Sequence, residues 1–200
     1  MDVIGMVQMS EQGTCLTEGC PNDLNLLEAR ISAAYTNVTK DIRVLLRNSG
    51  GNGEISPPIQ RRLLIGATWI YFIRMTRHIW GPSTAVTTIL EDIFDDKETG
   101  IDSLNACNLP FAVLVLGSEA ASETRRRSVL DLIDRAVDAG LDVSLSPSAT
   151  YNPLGQVTNM LKTTWTFNDL HVGNEVERHL DYRQKMDLVF TRLEVLPALA

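Results

Sequence analysis

Glu119 and the arginines that follow it are the residues most suggestive of chemistry. They lie in "NLPFAVLVLGSEAASETRRR", Asn108 to Arg127. Here an almost unbroken apolar run meets one carboxylate and then Arg125, Arg126 and Arg127. A carboxylate inside an apolar helix must be paired or protonated. Two uses fit: an ion pair, with Arg126 folding back onto Glu119 across a helix–helix turn, or an acid–base glutamate titrating near neutrality. General acid–base work needs a companion carboxylate, histidine or metal, and the sequence sets none beside Glu119, so the spacing favours the ion pair. The arginines sit near a helix start, where cations are disfavoured by the dipole. That placement points to pairing with acids, or to capture of an anion at the helix N-terminus.

Other chemistry-bearing residues are sparse. Cys15 and Cys20, in "CLTEGC", would give half a zinc site, but a tetrahedral site takes four ligands. The chain holds three cysteines and three histidines, and Cys107, His78, His171 and His179 show no matching spacing. No metal site is expected. An odd, sparse cysteine set fits a reducing compartment. No serine lies in a G-x-S-x-G elbow; "LGSEA" has its first half only. No glycine-rich phosphate loop is present, and no cofactor is implied. His171 and His179 read as surface residues, and Glu91, Asp92, Asp95 and Asp96 as a mostly solvated helix face.

These residues need elements to position them, and the pattern is helical throughout. In "DLNLLEARISAAYTNVTKDIRVLLRN", Leu24, Leu27, Ile31, Ala34, Tyr35, Val38, Ile42, Leu45 and Leu46 recur at gaps of three and four, with Asp23 as cap. "NSGGNGEISPP" breaks the chain, and Pro57 or Pro58 opens the next helix. There Leu63, Leu64, Ala67, Ile70, Tyr71, Arg74, Met75 and His78 keep helical spacing, and "LLIGATWIYFI" is apolar nearly all round, as in a buried helix. "WGPS" ends it, and Ser83 caps a helix with Val86, Ile89, Leu90, Ile93 and Phe94 on one side. "KETGIDSLNACN" reads as a loop.

Asn108 as N-cap and Pro110 in the first turn predict a buried helix over 109–121 rather than a strand, although "VLVL" is also strand-compatible. Gly117, Ala120 and Ala121 give it a small-residue face for close helix approach. Ser122 caps the next helix, with stripe Val129, Leu132, Ile133, Ala136 and Val137 and a stop at Gly140. Val157, Met160, Leu161 and Trp165 mark another helix, and "NEVERHLDYRQKMDLVFTRLEVLPALA" a last one with an apolar tail. The expected fold is all-α: a layered array of about seven helices in a single domain over 23–200, behind a loose lead-in over 1–22.

Bulk properties set limits. Hydrophobic residues make up 44% and charged residues 22% of 200, as in folded globular domains. A net charge of -7 gives no general attraction to nucleic acid or anionic membranes. No apolar run reaches the roughly 18 residues of a membrane span, and the N-terminus lacks a signal-peptide pattern. An intracellular protein is expected, in nucleus or cytoplasm.

The residues also resemble a family. "NLPFAVLVLGSEAASETRRRSVLDLIDR" is similar to the C-terminal part of the fungal-specific transcription factor domain, the helical regulatory region of fungal zinc-cluster regulators. Leu109, Pro110, Phe111, Gly117, Glu119, Ala120 and Arg126 fit its pattern. Upstream, Ile70, Tyr71, Gly81, Pro82 and Ser83 fit its "IYL" helix and glycine–proline–serine turn. Downstream, Trp165 fits a later tryptophan, and "DYRQKMD" with "LPALA" resembles its terminal motif. The resemblance covers roughly residues 59–200. Ser118 stands where cysteine is common, and Tyr182 where tryptophan is common. The six-cysteine cluster has no counterpart among three cysteines, so no DNA-binding residue is carried over. The resemblance implies a nuclear regulatory domain that acts on a protein partner, a second copy or an effector, either as part of a longer regulator or as a cluster-less relative. The other reading is a small helical ligand-binding protein or enzyme using Glu119 and nearby arginines.

Overall fold

The computed structural model describes residues 20–48, 56–77, 83–104, 107–140 and 153–170, together with Gln184. These residues are all-α, with six α-helices rather than about seven among them. The helices are α1 (Cys20–Asn48), α2 (Ser56–Arg77), α3 (Thr84–Phe94), α4 (Pro110–Ser118), α5 (Glu123–Asp138) and α6 (Pro153–Leu170). A single 3-10 turn, Ile101–Ser103, interrupts the expected loop after α3. The expected last helix after residue 170, Tyr182, the Gly81–Pro82 turn, Cys15 and all three histidines lie outside the described residues.

The layers follow the apolar patterns. Helix α1 packs on α2, α2 on α4, and α4 on α6; α3 braces α2, while α5 braces α4 and α6. Helix α4 lies in the middle of this succession, which explains its composition. "PFAVLVLGS" has no polar face to give to solvent, and Ala112 through Ser118 are all buried. Each outer helix instead buries a stripe. Ile31, Tyr35, Val38 and Ile42 are buried on α1, while Ala34 and Leu45, expected on that stripe, are exposed. The five expected residues of α3 are all buried. On α5, Val129, Leu132, Ile133 and Ala136 are buried, and Val137 at the stripe's edge is exposed.

Helix ends show where side-chain chemistry stops a helix and where backbone geometry does. Helix α1 starts at Cys20, so Asp23 sits in its first turn and complements the dipole instead of capping. Leu109, not Asn108, is the N-cap of α4; Pro110 follows in the first turn, where its missing N–H costs nothing. The Ser83 side chain makes no capping hydrogen bond, whereas Ser122 Oγ accepts from Arg125 N at 3.3 Å. Gly140, with φ of 71°, adopts the left-handed conformation that ends α5.

Three of the four acids read as a mostly solvated face have partners: Asp92 accepts from the Tyr35 hydroxyl, Asp95 from Arg125, and Asp96 from the turn after α3. Asp96 accepts hydrogen bonds from Glu98 N (3.0 Å), Thr99 N (3.1 Å) and the Thr99 hydroxyl, closing the turn after α3. The same turn holds an arginine that sequence reasoning missed. Arg62 on α2 is 2% exposed, and its guanidinium donates to the carbonyls of Asp92 (3.2 Å) and Thr99. The C-terminal end of α3 thus supplies the partial negative charge that the buried cation needs.

This turn predicts an acid-sensitive term in stability. Burial pushes the Asp96 carboxyl up, but hydrogen bonds from Thr99 and Glu98 outweigh it and hold the group below the ordinary 3.8. A carboxylate with a depressed folded-state pKa stabilises above its unfolded value and loses that contribution as pH falls through the folded one. Stability against urea should therefore drop below about pH 4, and an Asp96→Asn variant should show a shallower drop. Equal acid limbs for the two proteins would contradict this.

Candidate functional site

Four of the residues singled out in sequence, Gly117, Glu119, Arg126 and Trp165, meet at the corner between α4 and α5. Glu119, the first residue after α4, is held by Arg74 of α2, not by Arg126. Arg74 Nε donates to Oε1 at 2.8 Å and Nη2 to Oε2 at 2.6 Å, a two-pronged arrangement of planar groups. The two side chains are only 5% and 9% exposed. The expected Glu119–Arg126 clamp is absent for a geometric reason. Glu119 caps α4 on the side facing α2, whereas Arg126 lies one turn into α5, facing α6. The signal for Arg74 was present: Leu63, Ala67, Ile70 and Arg74 share one helical face, so a cation on that face is buried and needs an acid.

The three consecutive arginines separate by helical phase, about 100° per residue. Arg125 reaches back to Asp95 at 2.7 Å, its guanidinium 5.5 Å from the Phe94 ring centroid. Arg126 forms two 2.7 Å hydrogen bonds to Asp169 of α6 and a third, from Nε to Ala120 O, at 3.1 Å. It also lies 5.4 Å from the Trp165 ring centroid. Its hydrogen bond to Asp169 raises the Arg126 pKa further, and the reciprocal bond lowers that of Asp169. Arg127 is exposed, 3.9 Å from Glu123. Pairing with acids is the fate of all three, as the dipole mismatch suggested, but the acids are Asp95, Asp169 and Glu123.

Trp165 closes the corner from α6. Its indole Nε1 donates to Gly117 O at 2.8 Å, beside the bond from Ala120 N to the same carbonyl at 3.0 Å. Trp165 thus gives Gly117 O a second donor where α4 ends, and Arg126 supplies one to Ala120 O just beyond it. Gly117 is required because α6 comes so close. A Cβ there would lie 2.7 and 2.8 Å from the two Leu161 methyls and 3.2 Å from Val129 Cγ1. Leu161 and Val129 are both fully buried, with little room to move. A Gly117→Ala variant should lose about 1–3 kcal/mol by overpacking, less the roughly 1 kcal/mol gained in helix propensity. Adding Leu161→Ala should recover part of the Gly117→Ala loss in a urea melt; strictly additive losses would contradict the close-approach account.

Pro110 starts the buried helix one residue before Phe111, whose edge-on contact with Tyr71, with centroids 5.7 Å apart, ties α4 to α2. Gly117, Glu119, Arg126 and Trp165 thus belong to one corner, whereas Pro110 lies at the other end of α4. Both Glu119 oxygens are occupied, and Glu119 lines neither of two open grooves on the surface. One groove, between α5 and α6, is walled by Arg126, Trp165, Lys162 and Asp169. The other, of about 520 Å³, lies between α1, α2 and α3. Among the described residues, no group of three or more histidine, cysteine or acidic side chains is placed to hold a metal ion, and no helix is long and apolar enough to cross a membrane. Burial pushes the Cys107 thiol up to about 11, against a weaker opposing hydrogen bond with the Leu109 backbone, which keeps it protonated and unreactive near neutrality.

Comparison with known proteins gives one informative likeness. Transcription factor iacI of Pestalotiopsis fici is 31% identical over 94 residues, 47% of this chain and 21% of the relative. The chain is similar to a fungal transcription factor over that stretch. It spans about a fifth of the length of the curated relative it matches. No protein-family model matches the sequence, and no solved structure matches it.

Proposed function

We propose that this chain is a regulatory, non-enzymatic helical region of the kind found in fungal-specific transcription factor domains. It acts in the nucleus through contacts with a protein partner or a second copy, or through response to an effector, and does not itself recognise DNA. The observation that carries the reading is the corner. Among the family-like residues, Gly117, Glu119, Arg126 and Trp165 bond to one another or to the helices beside them, and serve as a scaffold. Similarity to iacI supports the regulatory assignment. A net charge of -7 favours protein contacts over direct nucleic-acid binding.

An enzymatic use of Glu119 has less support. A general acid or base must reach a substrate proton, and both oxygens of Glu119 are engaged by a buried guanidinium. The test is tethering. Fused to an unrelated DNA-binding module in a fungal cell, the chain should change transcription of a reporter carrying that module's site. The isolated chain should give no sequence-specific gel shift at physiological salt. A silent fusion that is folded and nuclear, or a salt-resistant specific complex with DNA, would overturn the reading.

A further inference from the structure

The groove between α1, α2 and α3 has features that the corner does not explain. Its floor is apolar: Tyr35 and Trp69 meet with ring centroids 5.7 Å apart at 59°, next to Ile89. Its volume lies within the roughly 300–1,000 Å³ of small-molecule sites. The Trp69 indole Nε1 is shielded from water and has no acceptor. A buried N–H without a partner costs about 1–3 kcal/mol.

Charge narrows the ligand class. Lys40 and Arg43 of α1 line the groove, are exposed, and bond no acid among the described residues. The acid in the wall, Asp92, accepts a long hydrogen bond from the Tyr35 hydroxyl, at 3.4 Å to Oδ2. Burial, followed by the negative charge of Asp92, raises the Tyr35 pKa, so this phenol stays a donor at neutral pH. The groove therefore carries two cations, Lys40 and Arg43, against the single carboxylate of Asp92, above an aromatic floor.

We propose that this groove binds a small aromatic carboxylate, its ring against Tyr35 and Trp69 and its carboxylate toward Lys40 and Arg43. As a binding site the proposal stands on the groove; as an effector site it rests on the regulatory reading above.

Phenylacetate is a suitable probe, with benzylamine as the cationic counterpart, titrated into the full 15N-labelled chain. The Trp69 indole resonance is identified by its disappearance in Trp69→Phe. Phenylacetate should shift it saturably, and benzylamine should bind about tenfold or more weakly, because only a carboxylate makes charge-assisted bonds to the two cations. Lys40→Gln with Arg43→Gln, both at exposed positions, should weaken phenylacetate binding by a similar factor while leaving the spectrum dispersed. An unmoved Trp69 resonance, equal binding of the two probes, or unchanged affinity in the double variant would overturn the proposal. A silent tethered reporter with intact phenylacetate binding would count against the regulatory reading alone. An active reporter without binding would count against this site alone.

Discussion

Replacing Glu119 by alanine should lower the unfolding free energy by about 3–5 kcal/mol, because it leaves the Arg74 guanidinium buried without its counter-charge. That is a large share of the roughly 5–15 kcal/mol that stabilises a typical domain. The urea midpoint should fall accordingly. Glu119→Gln should lose less, since its amide oxygen can still accept one hydrogen bond. Arg127→Ala should change the unfolding free energy by no more than about 0.5 kcal/mol, because exposed pairs contribute little; Arg127 and Glu123 are 71% and 76% exposed. Removing both charges at once, in Arg74→Met with Glu119→Leu, should restore most of the loss, as apolar replacement of buried ion pairs often does. Equal effects of Glu119→Ala and Arg127→Ala would contradict the burial argument.

Trp165→Ala should also cost about 3–5 kcal/mol, the usual range for removing a large aromatic from a core. Three losses combine there: 6% exposure becomes a cavity, Gly117 O loses the indole donor, and Arg126 loses its ring. Trp165→Phe separates them. It keeps most of the packing and a ring for Arg126, and removes the 2.8 Å hydrogen bond, so it should cost only about 0.5–1.5 kcal/mol. Thermal melts of the three proteins test this order. A phenylalanine variant as unstable as the alanine one would show that the hydrogen bond, not the packing, holds α6 to the corner.

The all-α class was legible because each helix carries a period of three to four, and α4 because its apolar run begins with Pro110 and has no polar side. Periodicity also placed Val129, Leu132, Ile133 and Ala136 inside. The partner of Glu119 was harder to read. Sequence proximity suggested Arg126, seven residues away, whereas the contact runs 45 residues back to Arg74. The clue was chemical rather than positional: a cation on an apolar face implies a buried acid. Arg62 carried a similar clue, three residues after Ile59 and four before Gly66, but its partners are backbone carbonyls, which no side-chain pattern reveals. The Tyr35–Trp69 groove was illegible for a related reason. It is formed by three successive helices, and only their packing brings Lys40 and Arg43 beside Trp69.

The central claim is that Glu119 serves the fold of a regulatory region and performs no reaction. The most direct test is the tethered reporter, read in parallel with a urea melt, for the parent chain, Glu119→Ala, and the Arg74→Met, Glu119→Leu pair. The account predicts that reporter output follows stability: low for Glu119→Ala, and recovered in the paired variant, which has no carboxylate at position 119. A paired variant that folds as well as the parent yet leaves the reporter silent would contradict it, because the carboxylate itself would then be needed.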